Sequence, residues 1–319
     1  MKLLRASLAM LCVAWLTAFG CGGTNAGAAT PTFDGERAMA DLRTQCDFGP
    51  RAPGTPERNA CLTWLKNTLT PLAAQVEDQA FTMHPATGGA GIAGNNVLAR
   101  FNASRQTTTG ALLIGAHWDC RPKADQDSAT ANQSKAVPGA NDAASGVAVL
   151  LELARLFKQT PPPRAVYLAM WDLEDMGQLP ETQGMPYLGF CAGSRYFSQN
   201  LGNWRPAEAI NLDMIGDASL RISREAYSDY SNASLNDKIF AAARRLGYTQ
   251  FVNQGGQSII DDHKPLIDMG IPSVDLIDLD YPGPNNNAYW HTLADTPDKC
   301  SAASLKAVGQ TLCAVIYGG

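Results

Sequence analysis

The sequence predicts one α/β domain, a twisted, mostly parallel mixed sheet with helices on both faces. Three observations predict it. Short apolar runs at 111–116 (Ala-Leu-Leu-Ile-Gly-Ala) and 164–171 lack the polar alternation of a half-exposed strand, as strands covered on both sides do. Helix-length patterns separate these runs, and alternating strands and helices favour parallel pairing through crossovers. With 319 residues, 45% hydrophobic and 17% charged, the chain is long and apolar enough for a large core, which excludes a disordered protein. A net charge of −5, from 25 basic and 30 acidic residues spread along the chain, leaves no cationic stripe, so nucleic acid is excluded as a partner.

Taken in order, residues 1–20 read as a secretory signal peptide. Lys2 and Arg5 precede an apolar run at 8–20 that is too short to span a bilayer comfortably. Small residues before Cys21, and Gly22-Gly23-Thr24 after it, resemble a lipoprotein processing site with Cys21 lipidated; cleavage after Ala28 or Ala29 is the alternative. Both readings export the protein, to the periplasm, to a membrane through a lipid on Cys21, or outside the cell. Residues 21–31 are small and polar and read as a tether, with the folded domain at 32–319. Cys46, Cys61, Cys120, Cys191, Cys300 and Cys313 are an even set in an exported chain, which suggests disulfides; none forms a Cys-x-x-Cys pair.

Asp34 caps a helix that ends at Phe48-Gly49-Pro50, and Thr55-Pro56-Glu57 opens a second reaching residue 69. Strands follow at 75–83, 96–102 and 111–116, then a helix at 145–158 and the breaker Pro161-Pro162-Pro163. Further strands are expected at 164–171, 207–215, 220–223 and 271–278. Helices are expected near Ser194 and at 236–246, 262–269 and 301–317.

In such sheets, reactive side chains project just past the carboxyl ends of strands. Strand 111–116 runs into His117-Trp118-Asp119, whose period-two spacing turns His117 and Asp119 to the same side. Strand 164–171 runs into Asp172-Leu173-Glu174-Asp175, and strand 209–212 into Asp213. Asp142 follows Pro138-Gly139-Ala140 before a helix, and Tyr289-Trp290-His291-Thr292 lies near the end. Taken singly, Asp142 could serve the helix start, His117 could be a core histidine and His291 a loop residue. Adjacent carboxylates at Glu174 and Asp175, ending an apolar strand, instead call for a cation or a shared proton. One or two histidines with several carboxylates suit zinc.

The segments GAHWDCRP, VPGANDAASGVAVLLELAR, WDLEDMG, GSRYF, NLDMIGD, DDHKPLIDMGIPSV and YWHTLADTPDKCS together resemble the family-28 zinc metallopeptidases, and within them the glutaminyl-peptide cyclotransferases. The resemblance implies a zinc-exopeptidase fold with a zinc-dependent catalytic domain over 32–319. It implies Asp142, Asp175 and His291 as zinc ligands and Glu174 as the acid/base carboxyl. His117 and Asp213 match a second zinc site in the aminopeptidase branch, and Asp119 would hold the His117 imidazole. One zinc is expected for a cyclase and two for an aminopeptidase. Two features favour the cyclase branch: the long insert Met176 to Ala192 before Gly193-Ser194, and Asp261-Asp262-His263 where aminopeptidases commonly read Ser-Asp-His. The expected substrate is then a peptide or protein N-terminus beginning with glutamine. Asp213 and Asp262 would orient its amide nitrogen, and Trp290 would pack on its side chain. Of the other histidines, His263 could orient a carboxylate or cap its helix, and His84 reads as exposed or structural.

Overall fold

The computed structural model describes residues 30–85, 88–102, 110–177, 189–283 and 286–318. The leader, the tether up to residue 29 and most of the 176–192 insert therefore lie outside the described residues.

Helices α1 (Gly35–Asp47) and α2 (Pro56–Leu69) begin where the capping residues sit: Asp34 accepts from Arg37 N–H, and Thr55 accepts from Arg58 N–H. A six-stranded sheet follows the order β1-β2-β4-β3-β5-β8. Strands β1 (Gln75–Met83) and β2 (Ile92–Phe101) pair antiparallel, and β2 is antiparallel to β4 (Val166–Trp171). Strands β4, β3 (Leu112–His117), β5 (Glu208–Asp213) and β8 (Ser273–Ile277) run parallel. The parallel centre is thus capped on one side by an antiparallel hairpin.

The unbroken apolar runs are explained by burial on two faces. Leu112, Ile114 and Ala116 of β3 join one core with α1, α3 (Gly146–Gln159) and α7 (Ala302–Tyr317), whereas Leu113 joins a second core with Phe197 of α4 (Ala192–Gln199) and Leu266 of α6 (His263–Asp268). Gly146 lets α3 approach β5: a Cβ there would stand 2.6 Å from the Leu212 carbonyl oxygen.

Two differences from the sequence expectations have physical reasons. Strand β2 begins at Ile92, because Gly94, which weakens a strand pattern, lies directly under the Phe81 ring of β1. Helix α5 (Ala226–Leu246) begins ten residues before the expected start at 236. Its first part is rich in Ser, Asn and Tyr, poor helix formers, and is held by Glu225, whose carboxylate accepts from Tyr227 and Ser228 N–H. Asn232 breaks the helical angles and recaps the second part by accepting from Leu235 N–H. Strand β7 (Phe251–Gly255), not expected, pairs with β6 (Ile222–Arg224) in a separate two-stranded sheet. The expected disulfides are absent among the described residues: all six thiols are unpaired. Cys61 and Cys313 sit in the apolar core, and burial pushes their thiols up to about 11 and about 12.

Candidate metal centre and catalytic cavity

The carboxyl ends of β3, β4 and β5 meet the turn before α3 and the 289–292 loop. Gly139, at φ +71°, turns the chain tightly enough to bring Asp142 over the sheet; the Asp142–Ala143 peptide is cis. Asp295 pins this turn by accepting from Asn141 N–H at 2.8 Å and Asp142 N–H at 3.2 Å, and Tyr281 donates its hydroxyl to Asp295 at 2.8 Å. His291 adopts φ +54°, and the Trp290 ring stacks on its imidazole at 3.7 Å.

Asp142 stands between two donor groups. Its Oδ1 lies 3.0 Å from His117 Nε2, which is also 3.2 Å from Asp213 Oδ1. Its Oδ2 lies 3.7 Å from His291 Nε2, itself 3.3 Å from Asp175 Oδ1. The donor atoms of His117, Asp142 and Asp213 lie within 4.8 Å of one another, and those of Asp142, Asp175 and His291 do likewise. Asp142 is therefore shared by both groups.

The surroundings orient each donor. Asp119 lies 3.4 Å from His117 Nδ1 and also accepts from the backbone N–H groups of Glu174 and Asp175, tying the end of β4 to that of β3. Arg121 donates to Asp175 Oδ1 at 2.8 Å and to Asp125, which lies 3.5 Å from His291 Nδ1. Burial would raise the Asp175 carboxyl, but His291 and Arg121 outweigh it and hold the group well below the usual carboxylate range. Burial would lower His117, yet Asp119, Asp142 and Asp213 raise it well above an ordinary imidazole. Burial, reinforced by Asp175, pushes the Asp142 carboxyl up.

A divalent cation fits this donor set. Five carboxylates (Asp142, Glu174, Asp175, Asp213 and Asp261) line one cavity of about 520 Å³ with His291, and Asp175 Oδ2 is buried without a hydrogen-bond partner. Imidazole nitrogen with carboxylate oxygen is a zinc-type set.

Glu174 lines the same cavity, opposite apolar walls that include Phe190, Ile259, Leu279 and Trp290. Burial, then Asp175, Asp262 and Asp261, raise its carboxyl well above the usual range. Of the two aspartates ahead of α6, Asp262 is the one expected to meet the substrate, but Asp261 is the one that lines the cavity. Asp262 is fully buried, accepts from the Ser194 hydroxyl and does not line the cavity. Asp261 lines the cavity instead, fixed by the Asn211 amide at 2.9 Å and raised to about 6 by burial and Asp213. Period alone could not decide between them, because they sit at an irregular helix entry. His263 is buried between Glu225 and Asp275, and His84 is exposed. Arg121, Asp125 and Asp295 were not singled out by the sequence reading; Arg121 stands two residues past Asp119 in the same motif, the one local signal available.

A family model described as peptidase family M28 matches residues 96–316, most of the chain and every donor named above. The chain belongs to peptidase family M28. The resemblance read from the motifs is thereby borne out. An aminopeptidase of Bacillus subtilis is 28% identical over 187 residues, which are 56% of this chain and 37% of that protein, so the chain spans little more than a third of this relative's length. A glutaminyl cyclase of Bacteroides thetaiotaomicron, solved with N-acetylhistamine bound, superposes with a TM-score of 0.84 at 33% identity, covering 91% of this chain and 99% of that one. A Zn-dependent exopeptidase of Parabacteroides distasonis superposes with a TM-score of 0.85 at 32% identity, over 91% and 100% of the two chains. The M28 chain thus has the exopeptidase fold that its motifs imply.

Proposed function

We propose that this M28 chain is a zinc-dependent glutaminyl-peptide cyclotransferase. It would close the N-terminal glutamine of a peptide or protein to pyroglutamate with release of ammonia. Asp261 carries this reading. Its carboxyl faces the cavity at the position where aminopeptidases commonly have serine, and it adds a third acceptor beside Glu174 and Asp213. Cyclisation makes the substrate's own α-amine the nucleophile and must turn it onto the γ-amide of the same residue, an orientation that an added carboxyl facing the cavity suits. The similarity to a glutaminyl cyclase over nearly that chain's whole length supports the same reading.

Asp142, Asp175 and His291 would hold the zinc, which supplies Lewis-acid polarisation of the substrate's γ-amide carbonyl. The chain's own groups do the rest. Glu174 takes a proton from the α-amine as its nitrogen bonds to the γ-carbon, then returns that proton to the γ-amide nitrogen as the C–N bond breaks. One lactam and one ammonia leave, and no water is consumed. Asp213 and Asp261 accept from the N–H groups and set the amide's orientation, while Trp290 and Ile259 cover the methylene stem and exclude water. Asp119 keeps His117 in place beside Asp142.

One observation favours a second reading, a two-zinc aminopeptidase. The two oxygens of Asp142 face separate donor groups, with His117 and Asp213 on one side. Mass spectrometry of a glutaminyl peptide after incubation decides between them: loss of one ammonia supports the cyclase, and loss of the whole first residue from varied peptides overturns it. We also propose export with lipidation at Cys21, tested by cell fractionation and by whether Cys21→Ala abolishes radiolabelled-lipid incorporation.

A further inference from the structure

Glu174 is gripped at three points. Its backbone N–H donates to Asp119 Oδ1 at 3.1 Å, its carbonyl accepts from Cys191 N–H at 2.9 Å, and its Oε1 accepts from the Cys191 thiol at 3.4 Å. Two of the three contacts come from a single residue near the far end of the long insert. Among the described residues, that thiol supplies the side-chain hydrogen bond to the Glu174 carboxyl. We propose that Cys191 is a positioning residue that aims the Glu174 carboxyl into the cavity, an inference that rests on the reading of Glu174 as the proton carrier.

Cys191 is itself held in place. It adopts φ +61° immediately before α4, opposite Leu173 at φ +56°, and Ala192 N–H closes the pair onto the Leu173 carbonyl at 3.2 Å. A left-handed backbone at two residues that carry side chains persists only where surrounding contacts determine it. The Cys191 carbonyl accepts from Arg195 N–H at 3.1 Å, anchoring the residue to the first turn of α4. The thiol is 1% exposed, and burial together with Glu174, Asp262 and Asp261 keeps it protonated, hence a donor.

The chemistry suits the task. A thiol is a weak donor, so it can fix the direction of a carboxyl without holding that carboxyl strongly in its charged form. A proton carrier must gain and lose a proton in each turnover, and a strong cationic partner would hold it deprotonated. Engagement of Oε1 leaves Oε2 for the substrate.

The test uses the zinc-loaded enzyme. Cys191→Ala should lower kcat about fivefold with KM within about twofold and zinc content unchanged, and Cys191→Ser, which keeps a donor, should recover most of the loss. A wild-type kcat in the alanine variant, or a serine variant no better than alanine, overturns the proposal. A second measurement does not depend on those variants turning over. The infrared S–H stretching band assigned to Cys191 by its disappearance in Cys191→Ser should shift in Glu174→Gln, and an unmoved band also overturns the proposal. Should Glu174→Gln keep full activity while the band shifts, the catalytic reading of Glu174 fails and the contact stands, so the two failures are distinguishable.

Discussion

Glu174 and Asp175 are neighbours on one turn, both buried, yet their surroundings drive them in opposite directions. Asp175 faces His291 and the Arg121 guanidinium and stays charged; Glu174 is pushed up by burial and by Asp175, Asp262 and Asp261, against the opposing pull of His117. The metal side of the cavity is built from carboxylates with fixed cationic or hydrogen-bonding partners. The substrate side is built from carboxyls crowded by one another. Burial alone would raise both, so the cationic partners of Asp175 are what set the two carboxyls apart, as the proposed division between a ligand and a proton carrier requires.

The comparison breaks first at Glu174. Glu174→Gln keeps the shape and removes the proton carrier, so ammonia release should fall roughly a thousandfold while zinc content stays at the wild-type level. Retained turnover would end the assignment. On the other side, Arg121→Met leaves every proposed ligand in place but strips Asp175 of its cation. Zinc affinity should drop about 10- to 100-fold, read by competition with a chelator. A smaller change sharpens the substrate side: Asp261→Ser should lower kcat/KM for cyclisation by about tenfold, the scale of one lost hydrogen bond to a charged group. If the variant also gains release of the first residue from peptides, Asp261 separates the two reactions.

The smallest effect lies outside the cavity's chemistry. Burial raises the Asp278 carboxyl to about 7, so the folded chain binds a proton there that the unfolded chain has already lost. Stability should therefore decline as pH rises from about 4 through about 7, and denaturant titrations of Asp278→Asn should show a shallower decline over that window.

Much of this was legible in the chain. The caps at Asp34 and Thr55, the apolar strands and the helix at 146–159 are local, because a side chain three residues away or a run of β-branched and aliphatic residues is enough to specify them. The first half of α5 was not, since its Ser- and Asn-rich turns depend on Glu225 and Asn232 caps rather than on propensity. The site residues carried a signal only as a set: Asp142, Glu174, Asp175, Asp213 and His291 lie at a strand end or in the turns and loops between elements, and their shared motif order pointed to one family. Asp295 and Cys191 carried none, and Arg121 only its place two residues past Asp119, because each acts by touching a residue distant in sequence.

What the sequence by itself determined is the kind of protein: an α/β sheet with carboxylates and two histidines at its strand ends, and membership of family M28. Only the tertiary structure decided that Asp142 turns one oxygen to each donor group, that Asp261 rather than Asp262 meets the cavity, and that six cysteines remain thiols. The physical reason is one of range. Backbone preference and hydrophobic pattern act between near neighbours, whereas the direction of a buried carboxyl is set by whichever charge or donor the packed elements bring within a few ångströms of it.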